Sequence, residues 1–413
     1  MTDRRYDLAR PPARRRETRL RCWCIRAHRW ASLSMGVLIV VEVITGTILL
    51  LSDDISQWMD PDRYRATAST APIDQVQTLR MIQQRYPGLR AEQVQRVDDV
   101  DVVRGPRLAW DEPVAFVDPG TGRINAIGAE RSWFMMFMVN VHRCALACPG
   151  YPFYQPWMDY PLPALGPEMT VAKLLLSGLG VLLCFIVLGG VAIWWPPRGR
   201  WRTAVQLRLR RKGFARHLDL HKLAGIVGLP FLFMWGFTTA AFYFQWPEMA
   251  YDAILPGLYA PAPPDPTPGT APLLPVQQAW AQTEQRHPGA ELVGIIEHHP
   301  TDRHGYYRFL LRDRLDRHRN SYSAGTIQVT VDSHGGGLTD SSPGNDSHPK
   351  RLWRDRVYNV HAGTIVPPGW RLIWLAFGLL PLLLAVSGAT MWFARHRARS
   401  NRLRRRPSLG RQV

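Results

Sequence analysis

The stretch VAKLLLSGLGVLLCFIVLGGVAIWW (Val171–Trp195) decides the fold class, because it is apolar throughout and carries one charged side chain, Lys173. Three further stretches have the same character: Ala31–Leu51, Leu223–Trp246 and Leu372–Phe393. A bilayer core needs about 20 apolar residues to be crossed, and in lipid a helix satisfies every backbone polar group internally. The sequence therefore predicts a membrane α-helical protein with a four-helix transmembrane bundle.

The charges of this basic chain are segregated. Residues 1–29, 197–222 and 395–413 hold 27 of its 51 Lys and Arg residues but four of its 33 Asp and Glu residues. Basic residues that flank spans stay on the cytoplasmic side and meet anionic lipid there. We therefore expect both termini and the loop between spans two and three to be cytoplasmic, and we do not expect a nucleic-acid partner.

The two halves of the chain repeat one another. QRYPG at 84–88 returns as QRHPG at 285–289, Asn-Val-His at 140–142 returns at 359–361, and GVAIW at 190–194 returns as GATMW at 388–392. Motifs that recur in the same order indicate an internal repeat. Each half is predicted to contain a span, an outer α+β domain and a second span.

These observations predict the following layout: a basic N-terminus (1–26), span one (27–51), a first outer domain (52–131), an interfacial segment with a flap rich in Pro, Tyr and Trp (132–169), span two (170–196), a basic loop (197–219), span three (220–246), a second outer domain (247–356), an interfacial turn with span four (357–394) and a basic tail (395–413).

Four of the 13 histidines occupy equivalent positions in the repeat. His28 and His221 open spans one and three at the cytoplasmic face, whereas His142 and His361 precede spans two and four at the outer face. Pairs of imidazoles from different helices are how a bundle holds non-covalent haem b. Two haem b groups, one near each face, would form an electron path across the bilayer.

Several alternatives remain open at this stage. His217 lies one helical turn before His221 and is a rival ligand. Zinc is the alternative metal, although structural zinc usually takes four close ligands. Glu42 lies deep in span one and is a candidate for a proton path, since a carboxylate within a membrane is costly. Cys144 and Cys148 lie four residues apart on the outer side, and the sequence leaves open whether they form a disulfide.

The order of these motifs resembles the PepSY-associated transmembrane family. The resemblance is carried by His-Arg or His-Lys at the start of spans one and three, by Asn-Val-His before spans two and four, and by the Gly-x-x-x-Trp ends of spans two and four. It covers about residues 22 to 397 and implies that the outer domains are PepSY-like and periplasmic.

The resemblance also implies a function, because the family includes haem-containing ferric-siderophore reductases of the bacterial inner membrane. It implies two b haems, with His28 paired to His221 and His142 paired to His361. It implies a ferric siderophore or other ferric chelate as acceptor, and a separate cytoplasmic reductase or membrane quinol as donor. The alternatives are a non-enzymatic PepSY protein that binds peptide or cell-wall ligands, and a siderophore or iron transport component.

Overall fold

The computed structural model describes residues 19–97, 99–106, 113–208, 212–244, 246–254, 269–301, 304–312, 326–335, 337–341, 357–358, 360–363, 369 and 371–404. The outermost parts of the basic termini and Asn359 of the second Asn-Val-His motif lie outside these ranges. Four helical segments are long and apolar enough to cross a membrane: Arg21–Leu49, Val171–Trp194, Phe214–Ala241 and Arg371–Asn401. The prediction of four spans is therefore confirmed by length and composition.

The helices of the described residues are α1 (Arg19–Leu49), α2 (Ser52–Met59), α3 (Gln75–Arg85), α4 (Trp133–Cys144), α5 (Val171–Trp194), α6 (Trp201–Ala204), α7 (Phe214–Ala241), α8 (Trp246–Ile254), α9 (Val276–Arg286), α10 (Arg371–Gly378) and α11 (Leu380–Arg404). Short 3-10 helices lie at Pro87–Leu89, Pro156–Asp159 and Pro163–Leu165.

The four long helices form a closed ring. Helix α5 packs against both α1 and α7, and α11 also packs against both of them. Helices α1 and α7 consequently face each other across the bundle, as do α5 and α11. This arrangement is what allows a side chain of α1 to meet a side chain of α7 on the bundle axis.

The third span was predicted to continue to Trp246, but α7 ends at Ala241 and Trp246 begins α8. Pro247 is the second residue of α8. Proline suits the first turn of a helix, where its missing N–H is not needed, so Pro247 fits the start of α8. The third span thus ends five residues earlier than the apolar stretch predicted.

Eight strands form one antiparallel sheet: β1 (Gln93–Val97), β2 (Val100–Arg104), β3 (Val114–Asp118), β4 (Arg123–Gly128), β5 (Glu291–His298), β6 (Tyr306–Arg312), β7 (Thr326–Asp332) and β8 (Leu338–Ser341). Their order is β4-β3-β2-β1-β5-β6-β7-β8. Each half of the chain supplies a four-stranded meander, and β1 pairs with β5 to join them. The strands from the two predicted outer domains thus share a single sheet.

The repeat is visible in the turns as well as in the strand order. The carboxylate of Asp118 accepts hydrogen bonds from the N–H groups of Thr67 and Gly120, at 3.0 and 2.9 Å. The carboxylate of Asp332 accepts equivalent bonds from Gly269 and His334, at 3.0 and 2.9 Å. Both aspartates are the last residues of strands, β3 and β7, and each comes after a valine, so the two halves share the same turn.

Candidate functional site

The inner histidine pair lies between the two helices that face each other across the bundle. His28 extends from α1 and His221 from α7, and their ring centres are 6.3 Å apart with the ring planes at 87°. His217, the rival predicted from sequence, lies one turn earlier on α7. It is His221 whose ring meets His28.

Each inner imidazole is held by a hydrogen bond that it donates to the neighbouring span. Nδ1 of His28 lies 2.9 Å from the carbonyl oxygen of Ile186 on α5. Nδ1 of His221 lies 3.1 Å from the carbonyl oxygen of Leu384 and 2.9 Å from Oγ of Ser387, both on α11. A carbonyl oxygen can accept but not donate, so Nδ1 must carry the hydrogen of the neutral ring. The lone pair is therefore on Nε2, which is free for a metal.

The outer pair is built in the same way. His142 is on α4 and His361 is in the helical turn before α10, and their ring centres are 6.1 Å apart. Nδ1 of His142 donates to the carbonyl oxygen of Glu42, at 2.8 Å. Nδ1 of His361 lies 2.8 Å from Oγ1 of Thr238, whose hydroxyl itself donates to the carbonyl of Met234. Nδ1 must again be the donor, which leaves Nε2 with the lone pair.

Burial, and then the neighbouring His142, lower the pKa of His361 to about 3. The ring is consequently neutral at physiological pH. A neutral imidazole is the form that binds a metal.

Glycines lie against three of the four rings. A Cβ atom added at Gly46 would lie 2.6 Å from Cε1 of His142, and one at Gly190 would lie 3.4 Å from Cε1 of His28. A Cβ atom at Gly388 would lie 3.5 Å from Cε1 of His221. Glycine therefore keeps the space beside these rings clear on α1, α5 and α11.

Other glycines near the spans do not lie against these rings. Gly36 has no atom near its Cβ position, and the nearest atoms to Gly225 and Gly363 belong to Leu384 and Trp374 respectively. Two of the glycines that do lie against the rings belong to the repeat, since Gly190 and Gly388 are the glycines of the two Gly-x-x-x-Trp motifs.

The spacing of both pairs fits one metal ligated from two sides. Two imidazoles that bind a metal from opposite sides each place a nitrogen about 2 Å from it, which sets the ring centres about 6 Å apart. Within the described residues, no group of three His, Cys, Asp or Glu side chains has a metal-binding arrangement. Two protein ligands suit a haem, whose porphyrin supplies the other four, better than they suit zinc.

Glu42 contributes to the outer pair rather than standing alone within span one. Its carboxylate Oε2 lies 3.2 Å from Nδ1 of His142, next to the shorter bond that its own carbonyl oxygen accepts. Thr45 Oγ1 is a third neighbour of the same nitrogen, at 3.4 Å. This carboxylate is thus placed to act on the orientation of His142.

Asn140 of the Asn-Val-His motif has a structural role, because it binds the flap that follows α4. The side chain of Asn140 is fully buried, donates to the carbonyl of Pro152 at 2.8 Å and accepts from the N–H of Cys148 at 3.1 Å. Cys144 and Cys148 are joined by a disulfide, which answers a question that the sequence left open. Asn140 and the disulfide together fasten the flap to the end of α4, two residues from the histidine.

Two hydroxyl residues at the outer pair escaped the sequence analysis. Thr45 and Thr238 each lie 17 residues after the histidine that opens their span. At 1.5 Å per residue this separates the inner and outer levels by about 26 Å, close to the thickness of a bilayer core. Superposing the two halves would have revealed these threonines, because their spacing is identical.

Comparison with known proteins identifies a family for most of the chain. A family model described as the PepSY-associated TM region matches residues 25–395. A comparison with curated proteins found no match.

Proposed function

We propose that this chain, which belongs to the PepSY-associated TM family, is a di-haem b oxidoreductase of the bacterial inner membrane. In this proposal it passes electrons from a cytoplasmic reductase or membrane quinol to a ferric chelate, such as a ferric siderophore, in the periplasm. The observation that carries the proposal is the presence of two histidine pairs, 6.3 and 6.1 Å between ring centres, whose Nδ1 atoms all donate within the protein.

The residues of the chain account for binding and orientation. His28 with His221 would hold one haem b, and His142 with His361 would hold the other. Haem b, when bound, supplies a one-electron couple at each face of the membrane. The hydrogen bonds that Nδ1 donates fix each ring and would make its Nε2 a better ligand for iron. No described side chain needs to act as a nucleophile for an outward transfer of single electrons.

The charge distribution supports the proposed orientation, with the donor on the cytoplasmic side and the acceptor on the outer side. The segments rich in Lys and Arg lie beside His28 and His221 in the sequence, and such segments remain cytoplasmic. The outer pair lies on the side of the eight-stranded sheet, where a chelate would be reduced. Chelators hold ferric iron more tightly than ferrous iron, so reduction by one electron would release the metal.

The test is the visible absorption spectrum of the full-length protein, purified in detergent from haem-replete cells. We expect a Soret band that shifts on reduction by dithionite. His361→Ala should remove about half of the haem, because it removes one ligand of one of two sites. Absence of a Soret band from the wild-type protein would overturn the proposal and leave a non-enzymatic binding role.

A matched pair of variants tests which histidine of α7 is the ligand. His221→Ala should also remove about half of the haem, since it supplies one ligand of the inner site. His217→Ala changes the same residue type one turn away and should keep the full signal. Equal losses in the two variants would contradict the assignment of His221.

A further inference from the structure

A group of cations and tyrosines surrounds the outer histidine pair. Arg143 follows His142 directly in the chain, and its side chain is exposed. Its guanidinium carbon lies 5.9 Å from the ring centre of Tyr358, which lies three residues before His361. Arg143 therefore spans the two segments that carry the outer histidines.

Tyr243 connects Arg143 to a second cation, Lys173. Its hydroxyl donates to the carbonyl oxygen of Arg143 at 3.0 Å, and Nζ of Lys173 lies 5.9 Å from its ring centre. Lys173 also donates to the carbonyl oxygen of Glu168, at 2.8 Å, which holds its ammonium in place. The Glu168 carboxylate is 3.9 Å away and largely exposed, so it compensates little of the lysine charge,.

The charge of Arg143 is not matched by a carboxylate within the part of the chain that the structure describes. Three arginines of the sheet and its helices are matched by a carboxylate: Arg80 pairs with Glu297, Arg96 with Asp101 and Arg104 with Glu130. Outside the three basic segments, the sequence as a whole has more acidic than basic residues. Arg143 therefore keeps a positive charge beside the outer pair that an external anion can compensate.

We propose that Arg143, Lys173, Tyr243 and Tyr358, here called the outer rim, bind the electron acceptor, and that this acceptor is an anionic metal chelate. The inference rests on the proposed function, since it specifies the substrate class for the same outer site. A guanidinium offers paired donors to carboxylate or phenolate oxygens, and a cation over an aromatic ring leaves a flat surface for a planar chelating group. Positive charge there also steers anions to the site.

The contact between Phe242 and His361 supports this placement. Their ring centres are 5.2 Å apart, and Phe242 is 36% exposed. A ligand on the outer rim would therefore lie against an aromatic side chain that touches an outer ligand ring. Proximity of this kind is what a transfer between the outer site and the acceptor requires.

The test measures binding of redox-inert chromium(III) complexes to the full-length protein in lipid nanodiscs by calorimetry. The probes are the trianion tris(oxalato)chromate(III) and the trication tris(ethylenediamine)chromium(III). We expect the trianion to bind more tightly than the trication, and Arg143→Glu to weaken its binding by about tenfold or more. Arg85→Glu is the matched control, because Arg85 is also exposed and lies 6.0 Å from a tyrosine ring, that of Tyr86.

Equal weakening by Arg143→Glu and Arg85→Glu would overturn the inference, because the two variants change net charge identically. Equal binding of trianion and trication would also overturn it. The chromium probes bind without electron transfer, so the result does not depend on haem. Anion binding at Arg143 without a Soret band would refute the proposed function and keep the outer rim; a Soret band without anion binding would do the reverse.

Discussion

The two outer histidines differ in the acceptors available to Nδ1: for His361 a threonine hydroxyl is the near acceptor, whereas for His142 it is a backbone carbonyl. Nδ1 of His361 has the Thr238 hydroxyl at 2.8 Å. Nδ1 of His142 has the Glu42 carbonyl at 2.8 Å and the Thr45 hydroxyl only at 3.4 Å. Both threonines are buried, so their removal has different consequences although the residue type and the repeat position are the same.

Thr238→Val should weaken haem binding at the proposed outer site, because it leaves the Nδ1–H of His361 without its acceptor. An unsatisfied buried donor costs about 1–3 kcal/mol, and loss of such a support typically lowers metal affinity by about 10- to 100-fold. Thr45→Val should have little effect, since His142 keeps the Glu42 carbonyl. Haem content per protein, measured after dilution with excess apomyoglobin as a haem acceptor, checks both variants. A loss for Thr45→Val as large as that for Thr238→Val would contradict the assignment.

The four histidines could be predicted from the repeat, but the groups that accept hydrogen bonds from their Nδ1 atoms could not. A histidine stands out because its residue type and its position at the start of a span recur in the sequence. The partners of Nδ1 lie on a different helix, and which carbonyl faces the ring depends on the rotation and depth of that helix. Ser387 is an ordinary serine of an apolar span until packing brings its hydroxyl to His221.

At the scale of elements, the contact between α5 and α7 depends on two glycines. A Cβ atom at Gly180 would lie 2.6 Å from the carbonyl oxygen of Gly236, and one at Gly236 would lie 2.8 Å from Sγ of Cys184. In lipid, helices associate through close packing at small residues, since burial of apolar surface adds little there. These glycines therefore set how closely the two spans approach.

Gly180→Ala should destabilise the bundle by about 1–3 kcal/mol, because backbone atoms of α7 must move to admit the methyl group. Gly178→Ala is the control on the same helix, where no atom lies within 4 Å of the added Cβ position. The midpoint of thermal unfolding in one detergent, followed by tryptophan fluorescence, should fall for Gly180→Ala and stay near that of the wild type for Gly178→Ala. Equal midpoints in the two variants would show that the close contact is not needed.

The apolar stretches predicted which helices are long and apolar enough to cross a membrane, but helix propensity and proline determine where these helices begin and end. Helix α1 already begins at Arg19, within the basic segment, because arginine is a good helix former and hydropathy measures only lipid solubility,. In span four, α10 and α11 meet at Leu379, two residues before Pro381, which has no N–H for a helical bond,. Hydropathy thus locates a span better than it locates its boundaries.

At the scale of the whole molecule, the repeat predicted two similar outer units but not their joining through β1 and β5. That pairing depends on the edges that two meanders present to each other, which no local pattern encodes. Polar contacts accompany it: Nε2 of Gln75 on α3 donates to the carbonyl oxygen of Leu292 on β5, at 2.9 Å. Arg80 on α3 forms an ion pair with Glu297 on β5, at 2.8 Å. Helix α3 of the first half therefore holds the first strand of the second half.

The stability of this junction between the two halves of the sheet depends on the ion pair between Glu297 and Arg80. The carboxylate is 3% exposed, and desolvation raises its pKa although Arg80 and Gln83 oppose the shift. Removing the arginine leaves a buried carboxylate with less compensation, which is the costly way to break an ion pair. Arg80→Met should therefore lower stability at neutral pH by about 2 kcal/mol, a value reduced from that of a fully buried pair because Arg80 is partly exposed.

The sign of the pH dependence follows from the direction of the shift. A carboxyl whose folded-state pKa is raised stabilises the fold below its unfolded pKa, and this contribution is lost as the pH rises through the folded pKa. The penalty of Arg80→Met should thus be smaller near pH 5 than near pH 8, as measured by thermal unfolding midpoints. Arg80→Met combined with Glu297→Leu should recover most of the loss at both pH values, because no carboxylate then remains buried without its partner.

The matched control is Arg65→Met, which breaks an exposed pair with Asp62 and should change stability by less than about 0.5 kcal/mol. A penalty of Arg80→Met that is independent of pH and of residue 297 would mean that the alkyl packing of Arg80, and not the ion pair, joins the two halves of the sheet.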